Sequence, residues 1–152
     1  MKAITLWQPW ATWCVMGWKT VDTRGHSNFR GLVGQVIAIH AGKQFDNGAF
    51  RKARGFMPPL VQRLAANEPI PHGAIVGMAK VHYARWLTPN DASLALCHTD
   101  TTRFGLFLVE PRKLDTPVAC KGAQGIWEVP ADVAAILLAR QEPPGGQFQD
   151  FA

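Results

Sequence analysis

Hydrophobic and polar residues alternate in several short stretches of the chain, and this pattern predicts about six β-strands. The segment 35–41 is mostly apolar on both faces, which is typical of a strand in the middle of a sheet. Proline and glycine at the ends of other apolar stretches predict helices between the strands. The predicted strands are residues 2–6, 19–24, 35–41, 74–85 and 103–109, with two short strands within residues 117–129. The predicted helices are residues 8–16, 58–66 and 132–140, with a less regular basic stretch at 45–54 and a loop or short helix within 87–100.

The order of these elements predicts the class of fold. Helices are inserted between the strands without the strict alternation of a doubly wound parallel sheet. We therefore expect an α+β protein built on a small, mostly antiparallel β-barrel with peripheral helices. The length predicts a single domain over residues 1–140, followed by a flexible tail, residues 141–152, rich in proline, glycine and glutamine.

Composition excludes several classes of protein. The chain has 152 residues, of which 47% are apolar, and no apolar run approaches the roughly 20 residues that cross a bilayer. The first residues do not have the pattern of a secretory leader, and three widely spaced cysteines predict neither a disulfide framework nor a zinc ribbon. Phosphate-binding glycine loops and paired metal-binding histidines are absent from the sequence. We expect a cytoplasmic protein with no membrane partner, no cofactor and no metal.

Charge is distributed unevenly along the chain, whose formal net charge is +5. Residues 1–63 carry nine basic and two acidic side chains (9 − 2 = +7), and residues 64–152 carry seven basic and nine acidic ones (7 − 9 = −2). A compact domain with this distribution can present one basic face, which attracts phosphate backbones. The alternative is an ordinary solvated surface.

The segment 17–24 is the first candidate for chemistry. Residues of equal parity on a strand share a face, so Asp22 and Arg24 lie together. The glycine at position 17 permits a turn that brings Lys19 back toward the same carboxylate. Such a cluster can clamp a phosphate, recognise the edge of a base or transfer a proton. The simpler alternative is a surface salt bridge.

Two later segments carry further candidates. His40 and Lys43 close the predicted third strand, where a glycine allows close approach of a ligand and the lysine can meet a phosphate. Gln124 lies between two glycines with Trp127 shortly after it, and an amide with an aromatic ring is a common means of holding an unpaired base. Core packing is the alternative role for the tryptophan.

These segments together resemble the ASCH domains (activating signal cointegrator homology), a branch of the PUA-like superfamily. The signature Gly-x-Lys-x-x-Glu-x-Arg is represented by Gly17, Lys19, Asp22 and Arg24, with aspartate in place of glutamate. The accompanying segments are residues 8–11, 30–31, 39–43, 73–77 and 122–127, and they span most of residues 3–129.

The resemblance implies a barrel with a cleft for RNA or a modified nucleotide. In that function phosphate would be held by Arg24, Arg30 and Lys43. The remaining candidates are Lys19, Asp22 and His40 in the cleft, and Gln124, Trp127 and Trp10 against a base.

The resemblance also implies an alternative, because some small ASCH proteins are hydrolases of RNA or of acetylcytidine. Lys19 would then act as base or electrostatic stabiliser, with Asp22 orienting it or activating water. For RNA cleavage, His40 and Lys43 would share proton transfer with Lys19. The acetylcytidine hydrolases carry a glutamate on the long later strand, whereas residues 73–90 contain no carboxylate and only Lys80 among lysines. A third possibility is a protein-interaction domain with a vestigial cleft.

Overall fold

The computed structural model describes residues 1–141 and contains one six-stranded sheet. The strands are β1 (Lys2–Gln8), β2 (Val21–Arg24), β3 (Val36–Phe45), β4 (Ala74–Trp86), β5 (Phe104–Ala119) and β6 (Trp127–Glu128). The helices are α1 (Trp10–Val15), α2 (Ala49–Ala53), α3 (Pro59–Asn67), α4 (Ala92–Ala95) and α5 (Ala131–Gln141), with single 3-10 turns at Arg30–Leu32 and Pro89–Asp91. Gln141 ends α5, and the rest of the predicted tail lies outside the described residues. No helix within residues 1–141 has both the length and the apolar character that crossing a membrane requires.

The sheet has the order β2-β5-β4-β3-β1-β6. β1 runs parallel to β3, with Ala3 opposite Ala38, and every other neighbouring pair is antiparallel. The α+β class, with a mostly antiparallel sheet and peripheral helices, is thereby confirmed. The expected barrel is not closed in the described part of the chain, because β2 and β6 remain the two edges of the sheet. These edge strands have only four and two residues, so neither offers a long ladder for closure.

Both faces of the central strands are buried, as the apolar pattern of residues 35–41 predicts. Ile37 and Ile39 of β3 pack into one core cluster with Ile4, whereas Ala38 belongs to a second cluster on the other face. Helix α5 covers this second face through Leu137, which is fully buried. Burial of one leucine contributes about 1.5–3 kcal/mol, so this contact fixes α5 on the sheet.

Several strand boundaries differ from the prediction: β1 and β3 extend to Gln8 and Phe45, beyond the predicted residues 6 and 41. β2 begins at Val21 rather than at residue 19, because the chain turns at Gly17 with φ +78° before entering the sheet. β5 does not end at residue 109 but continues to Ala119, past two prolines. Of the two short strands predicted within 117–129, the first is therefore the end of β5, and the second is β6. Residues 120–126 form a loop between them.

Candidate nucleic-acid interface

A cleft of about 1430 Å³ opens beside the ends of β1, β2 and β3. Its walls come from segments that are distant in sequence: residues 5–7 of β1, Gly42 and Lys43 of β3, and the loop at 120–125 after β5. Lys19, in the turn before β2, and Arg103, just before β5, also line it. The cleft is therefore a product of the tertiary fold and not of one local motif.

Lys19 lies at the buried base of the cleft, with only 4% of its surface exposed. Its ammonium donates a hydrogen bond to the backbone carbonyl of Ala95 at the end of α4 and lies over the Trp10 ring, 4.8 Å from the centroid. Leu96 ends α4 in the left-handed conformation (φ 56°), so the chain turns directly after this carbonyl. Within residues 1–141 the ammonium has no carboxylate within 4.0 Å. The structure therefore shows no ion pair between Lys19 and Asp22; a neutral carbonyl and a ring face partner the lysine instead.

Asp22 and Arg24 form an ion pair, as their shared face predicts. The Arg24 Nε donates to Asp22 Oδ2 at 2.7 Å, and the side chains are only 21% and 6% exposed. The guanidinium also lies over the Phe29 ring at 4.6 Å, and its Nη2 is buried without a hydrogen-bond partner. The simpler alternative of a salt bridge is thus present, in a mostly buried form. Arg24 lines the cleft and Asp22 holds it from behind.

His40 is held at both ring nitrogens below the cleft surface. Its Nε2 lies 2.7 Å from the carbonyl oxygen of Cys120, and its Nδ1 lies 3.2 Å from Thr5 Oγ1. Because a carbonyl can only accept, Nε2 carries the proton and Nδ1 of the neutral ring accepts from the threonine hydroxyl. That hydroxyl oxygen accepts in turn from Trp127 Nε1 at 3.0 Å. Burial lowers the pKa of His40, although the bond to Cys120 acts in the opposite direction. The neutral imidazole positions the wall, and neither ring nitrogen is available for proton transfer in this arrangement.

The loop 120–125 is fitted closely onto this network. A Cβ added at Gly122 would lie 2.5 Å from His40 Nδ1 and 2.8 Å from Thr5 Oγ1, so only glycine fits. Gln124 follows in the same loop with its side chain exposed in the cleft wall. Trp127 lies behind this wall, edge-on to His40 with 5.4 Å between ring centroids, and does not line the cleft.

Asp46 is the acidic residue of the cleft lining. Its carboxylate accepts hydrogen bonds from Trp10 Nε1 at 3.0 Å, Lys52 Nζ at 2.7 Å and the backbone N–H of Gly48 at 2.9 Å. Desolvation works to raise the pKa of Asp46, but these three donors outweigh it and the pKa is lowered. The ionised carboxylate fixes the Trp10 ring, which in turn covers the Lys19 ammonium.

The cleft is strongly positive. Six of its lining residues are basic and one is acidic: Lys19, Arg24, Lys43, Lys52, Arg103 and Lys121 against Asp46. Within the described chain, Lys43, Arg103 and Lys121 have no carboxylate within 4.0 Å. Low-dielectric walls lined by one sign of charge raise the local concentration of an oppositely charged ligand. In residues 1–141, no three histidine, cysteine or acidic side chains gather into a possible metal site.

Most predicted binding residues meet in this cleft. Those that line it are Trp10, Lys19, Arg24, His40, Lys43 and Gln124, whereas Asp22, Arg30 and Trp127 do not. Arg30 lies outside it, exposed, with its guanidinium over the Phe104 ring. Further lining residues were not predicted from the sequence: Trp7, His26, Asp46, Lys52, Cys97, His98, Arg103 and Lys121. Parity gave only a weak signal for Trp7: it is opposite in parity to the buried Leu6, but Ala3 has the same parity as Trp7 and is fully buried.

This chain has an ASCH-domain fold. ASCH from Zymomonas mobilis matches it with a TM-score of 0.58 and 13% sequence identity, covering 91% of this chain and 93% of that chain. Two mutant forms of the Zymomonas protein match with TM-scores of 0.59 and 0.56 at 14% and 13% identity. They also cover 91% of this chain, and 94% and 96% of their own. Neither protein-family models nor curated proteins match the sequence. The resemblance drawn from the signature residues is confirmed at the level of the fold.

Proposed function

We propose that this protein binds RNA or a modified nucleotide in the basic cleft. The observation that carries the proposal is the lining itself, in which six basic side chains and one acidic side chain surround exposed indole surface. Phosphate groups are the polyanions that such a lining attracts. The ASCH-like fold, which suggests a PUA-like RNA-binding domain, supports the same function.

Phosphate binding is assigned to cations that are not already neutralised. Lys43 and Lys121 are exposed and have no carboxylate within 4.0 Å in residues 1–141. Arg103 is anchored by hydrogen bonds from Nη2 to the Thr23 backbone oxygen and hydroxyl, at 3.2 and 3.3 Å. An anchored guanidinium loses little side-chain freedom when a phosphate arrives. The ion pair with Asp22 holds the Arg24 guanidinium in place and offsets its charge. Arg24 therefore contributes hydrogen-bond donors to a phosphate more than it contributes net charge.

Base binding is assigned to Trp7 and Gln124. The Trp7 ring is 54% exposed on the cleft wall, which is unusual for so large an apolar side chain. Stacking of a base on an aromatic ring contributes about 1–3 kcal/mol. The Gln124 amide offers both a donor and an acceptor to a base edge.

The salt dependence of binding tests this function. Fluorescence anisotropy with a labelled single-stranded RNA octamer should give a slope of log affinity against log salt near −2, since three phosphate contacts contribute about −0.7 each. Lys43→Gln should reduce the slope by about 0.7, whereas Arg63→Gln on α3, outside the cleft lining, removes the same charge without this effect. An affinity that does not change with salt concentration contradicts the proposal, and so do equal salt slopes for Lys43→Gln and Arg63→Gln.

A hydrolase is the second candidate, and one observation favours it. Lys19 is almost fully buried at the base of the cleft, with a neutral carbonyl and a ring face as its partners. An ammonium without a neighbouring carboxylate keeps its charge available to stabilise a developing anion. Lys19 would be the catalytic residue, acting on RNA or on an acylated nucleoside. Asp22 lies behind the cleft wall, in an ion pair with Arg24. Its role would therefore be to position Arg24.

Turnover decides between the two candidates. Labelled single-stranded RNA and acylated nucleosides are incubated with the wild-type protein and with Lys19→Ala, in buffer containing a metal chelator. Product formed by the wild type and lost in the variant supports the hydrolase. Product that persists undiminished in Lys19→Ala excludes Lys19 as its catalytic residue, and binding without product leaves the cleft as a recognition site.

A further inference from the structure

A second arginine and tryptophan surface lies at the end of the sheet next to the cleft. In the register of the sheet, Arg24 of β2 is opposite Phe104 of β5, and Phe104 is opposite Trp86 of β4. Residues directly opposite one another project from the same face of a sheet. The three side chains therefore form one row across three strands.

Aromatic and guanidinium groups are layered along this row. The Trp86 ring meets Phe104 edge-on, with 5.4 Å between centroids, and the Arg30 guanidinium lies 4.7 Å from the same Phe104 ring. Trp86 is nevertheless 43% exposed, and Arg30 is exposed with no carboxylate within 4.0 Å in residues 1–141. The buried Phe104 thus contacts both the partly exposed Trp86 ring and the exposed Arg30 guanidinium.

This surface is continuous with the cleft. Phe29 and Arg103 line the cleft, and their chain neighbours are Arg30 and Phe104. Neighbouring strands lie about 4.8 Å apart, so the Cα of Trp86 is roughly 10 Å from that of Arg24 at the cleft wall. The next nucleotides of a strand reach this distance, whereas a single nucleoside seated in the cleft does not.

The surrounding charge favours a phosphate backbone here. Asp91, close to Trp86 in the chain, accepts hydrogen bonds from Arg85 Nη2 at 2.8 Å and from Arg85 Nη1 at 2.9 Å. Its negative charge is thereby compensated, while the charge of Arg30 is not. A ring beside an uncompensated cation is the arrangement that stacks a base and holds its phosphate in single-strand binding.

We propose that Arg30 and Trp86 form an outer subsite that binds single-stranded RNA leaving the cleft. The ligand class is then an RNA strand several nucleotides long and not a free nucleotide. This inference rests on the proposed binding function of the cleft. Arg30, which lies outside the cleft, then takes part in binding the same ligand.

Oligomer length tests the outer subsite. Binding of an RNA dinucleotide is measured by calorimetry and binding of a labelled octamer by anisotropy, for the wild type and for Arg30→Gln, Trp86→Leu and Trp86→Phe. Arg63→Gln, an exposed arginine of α3 outside the cleft lining, is the charge-matched control. We expect Arg30→Gln and Trp86→Leu to weaken octamer binding about tenfold and to leave dinucleotide binding unchanged. Trp86→Phe should retain most of the octamer affinity, because it keeps a ring for stacking.

The outcomes separate this inference from the cleft function. Octamer affinities equal to that of Arg63→Gln overturn the outer subsite, and if Lys43→Gln still weakens binding, the cleft function stands. Equal losses for the dinucleotide and the octamer also overturn it, because Arg30 and Trp86 would then act on the cleft itself. If the wild type binds neither RNA, RNA binding by the cleft fails and the outer subsite fails with it. Thermal melting of each variant shows whether a loss reflects unfolding, in which case Arg30→Gln, whose side chain is exposed, carries the test.

Discussion

Replacing Gly122 with alanine places a methyl group against the most rigid part of the cleft wall. The added Cβ would lie 2.5 Å from both Cε1 and Nδ1 of His40, whereas ordinary contacts begin at 3.4 Å. The ring cannot easily move aside, because its nitrogens are bonded to Thr5 and to the Cys120 carbonyl at 3.2 and 2.7 Å. Either the imidazole gives up one of these bonds or the loop 120–125 lifts away from it.

The expected cost follows from these two choices. Forcing an extra methyl into a packed site costs typically about 1–3 kcal/mol, and a buried hydrogen-bonding group left without its partner costs a similar amount. For a chain of this size, 1–3 kcal/mol corresponds to a fall in Tm of roughly 2–12 °C. A lifted loop also displaces Gln124, so affinity for the RNA octamer should fall as well.

Thermal unfolding by circular dichroism, with anisotropy for the octamer, measures both effects. Gly55→Ala is the matched control, because a Cβ there meets nothing within 4 Å and the residue lies outside the cleft lining. A Gly122→Ala protein with the wild-type Tm and affinity would show that the added methyl group does not clash with His40. The loop 120–125 would then accommodate a methyl group that the contacts with His40 should exclude.

Three further perturbations test the packing, the titration and the cleft. Gly77→Ala puts a Cβ 2.6 Å from Val15 Cγ1 and 2.3 Å from a backbone oxygen, so Tm should fall by more than about 6 °C; a shift below 2 °C contradicts this. Burial lowers the pKa of His40 from its ordinary 6.5, so the unfolded chain binds more protons and stability is lost as pH falls below about 6.5. Urea midpoints at pH 7 and 5 should therefore differ less in His40→Gln, and an unchanged difference contradicts this. RNA should slow maleimide labelling of Cys97 and Cys120, which line the cleft. Burial raises the pKa of Cys14 to about 12, so Cys14 should be labelled only when the protein unfolds. Equal labelling rates of Cys97 and Cys120 with and without RNA contradict the cleft assignment.

The fold class was predictable because alternation and turn residues are local signals. The mostly apolar run at 35–41 identified the central strand correctly, since a strand buried on both faces has few polar positions. The end of β5 was not predictable in the same way, because Pro111 and Pro117 ordinarily end a strand. They are tolerated because β2 covers only residues 104–107 of β5, which leaves one side of the later part without a strand partner.

The candidate site was predictable where a residue carries its own signal. Parity on β2 placed Asp22 beside Arg24, and their ion pair follows from it. The partner of Lys19 was not predictable, because the Ala95 carbonyl is brought to it from 76 residues away by the turn after α4. The position of Trp127 behind the cleft wall was not predictable for a similar reason. The hydrogen bond from Trp127 to Thr5 draws that ring behind the wall, and nothing near it in sequence announces this bond.

The cleft lining runs from Thr5 to Gly125, so a ligand seated there joins parts of the chain that only the complete fold brings together. The unfolded protein offers no comparable site, and such a ligand raises the free energy of unfolding by about 2.7 kcal/mol at one hundred times its Kd. Melting temperature is therefore a direct reporter of occupancy. Candidate RNAs and modified nucleotides can be ranked by the increase in Tm that each produces, before any reaction is assumed.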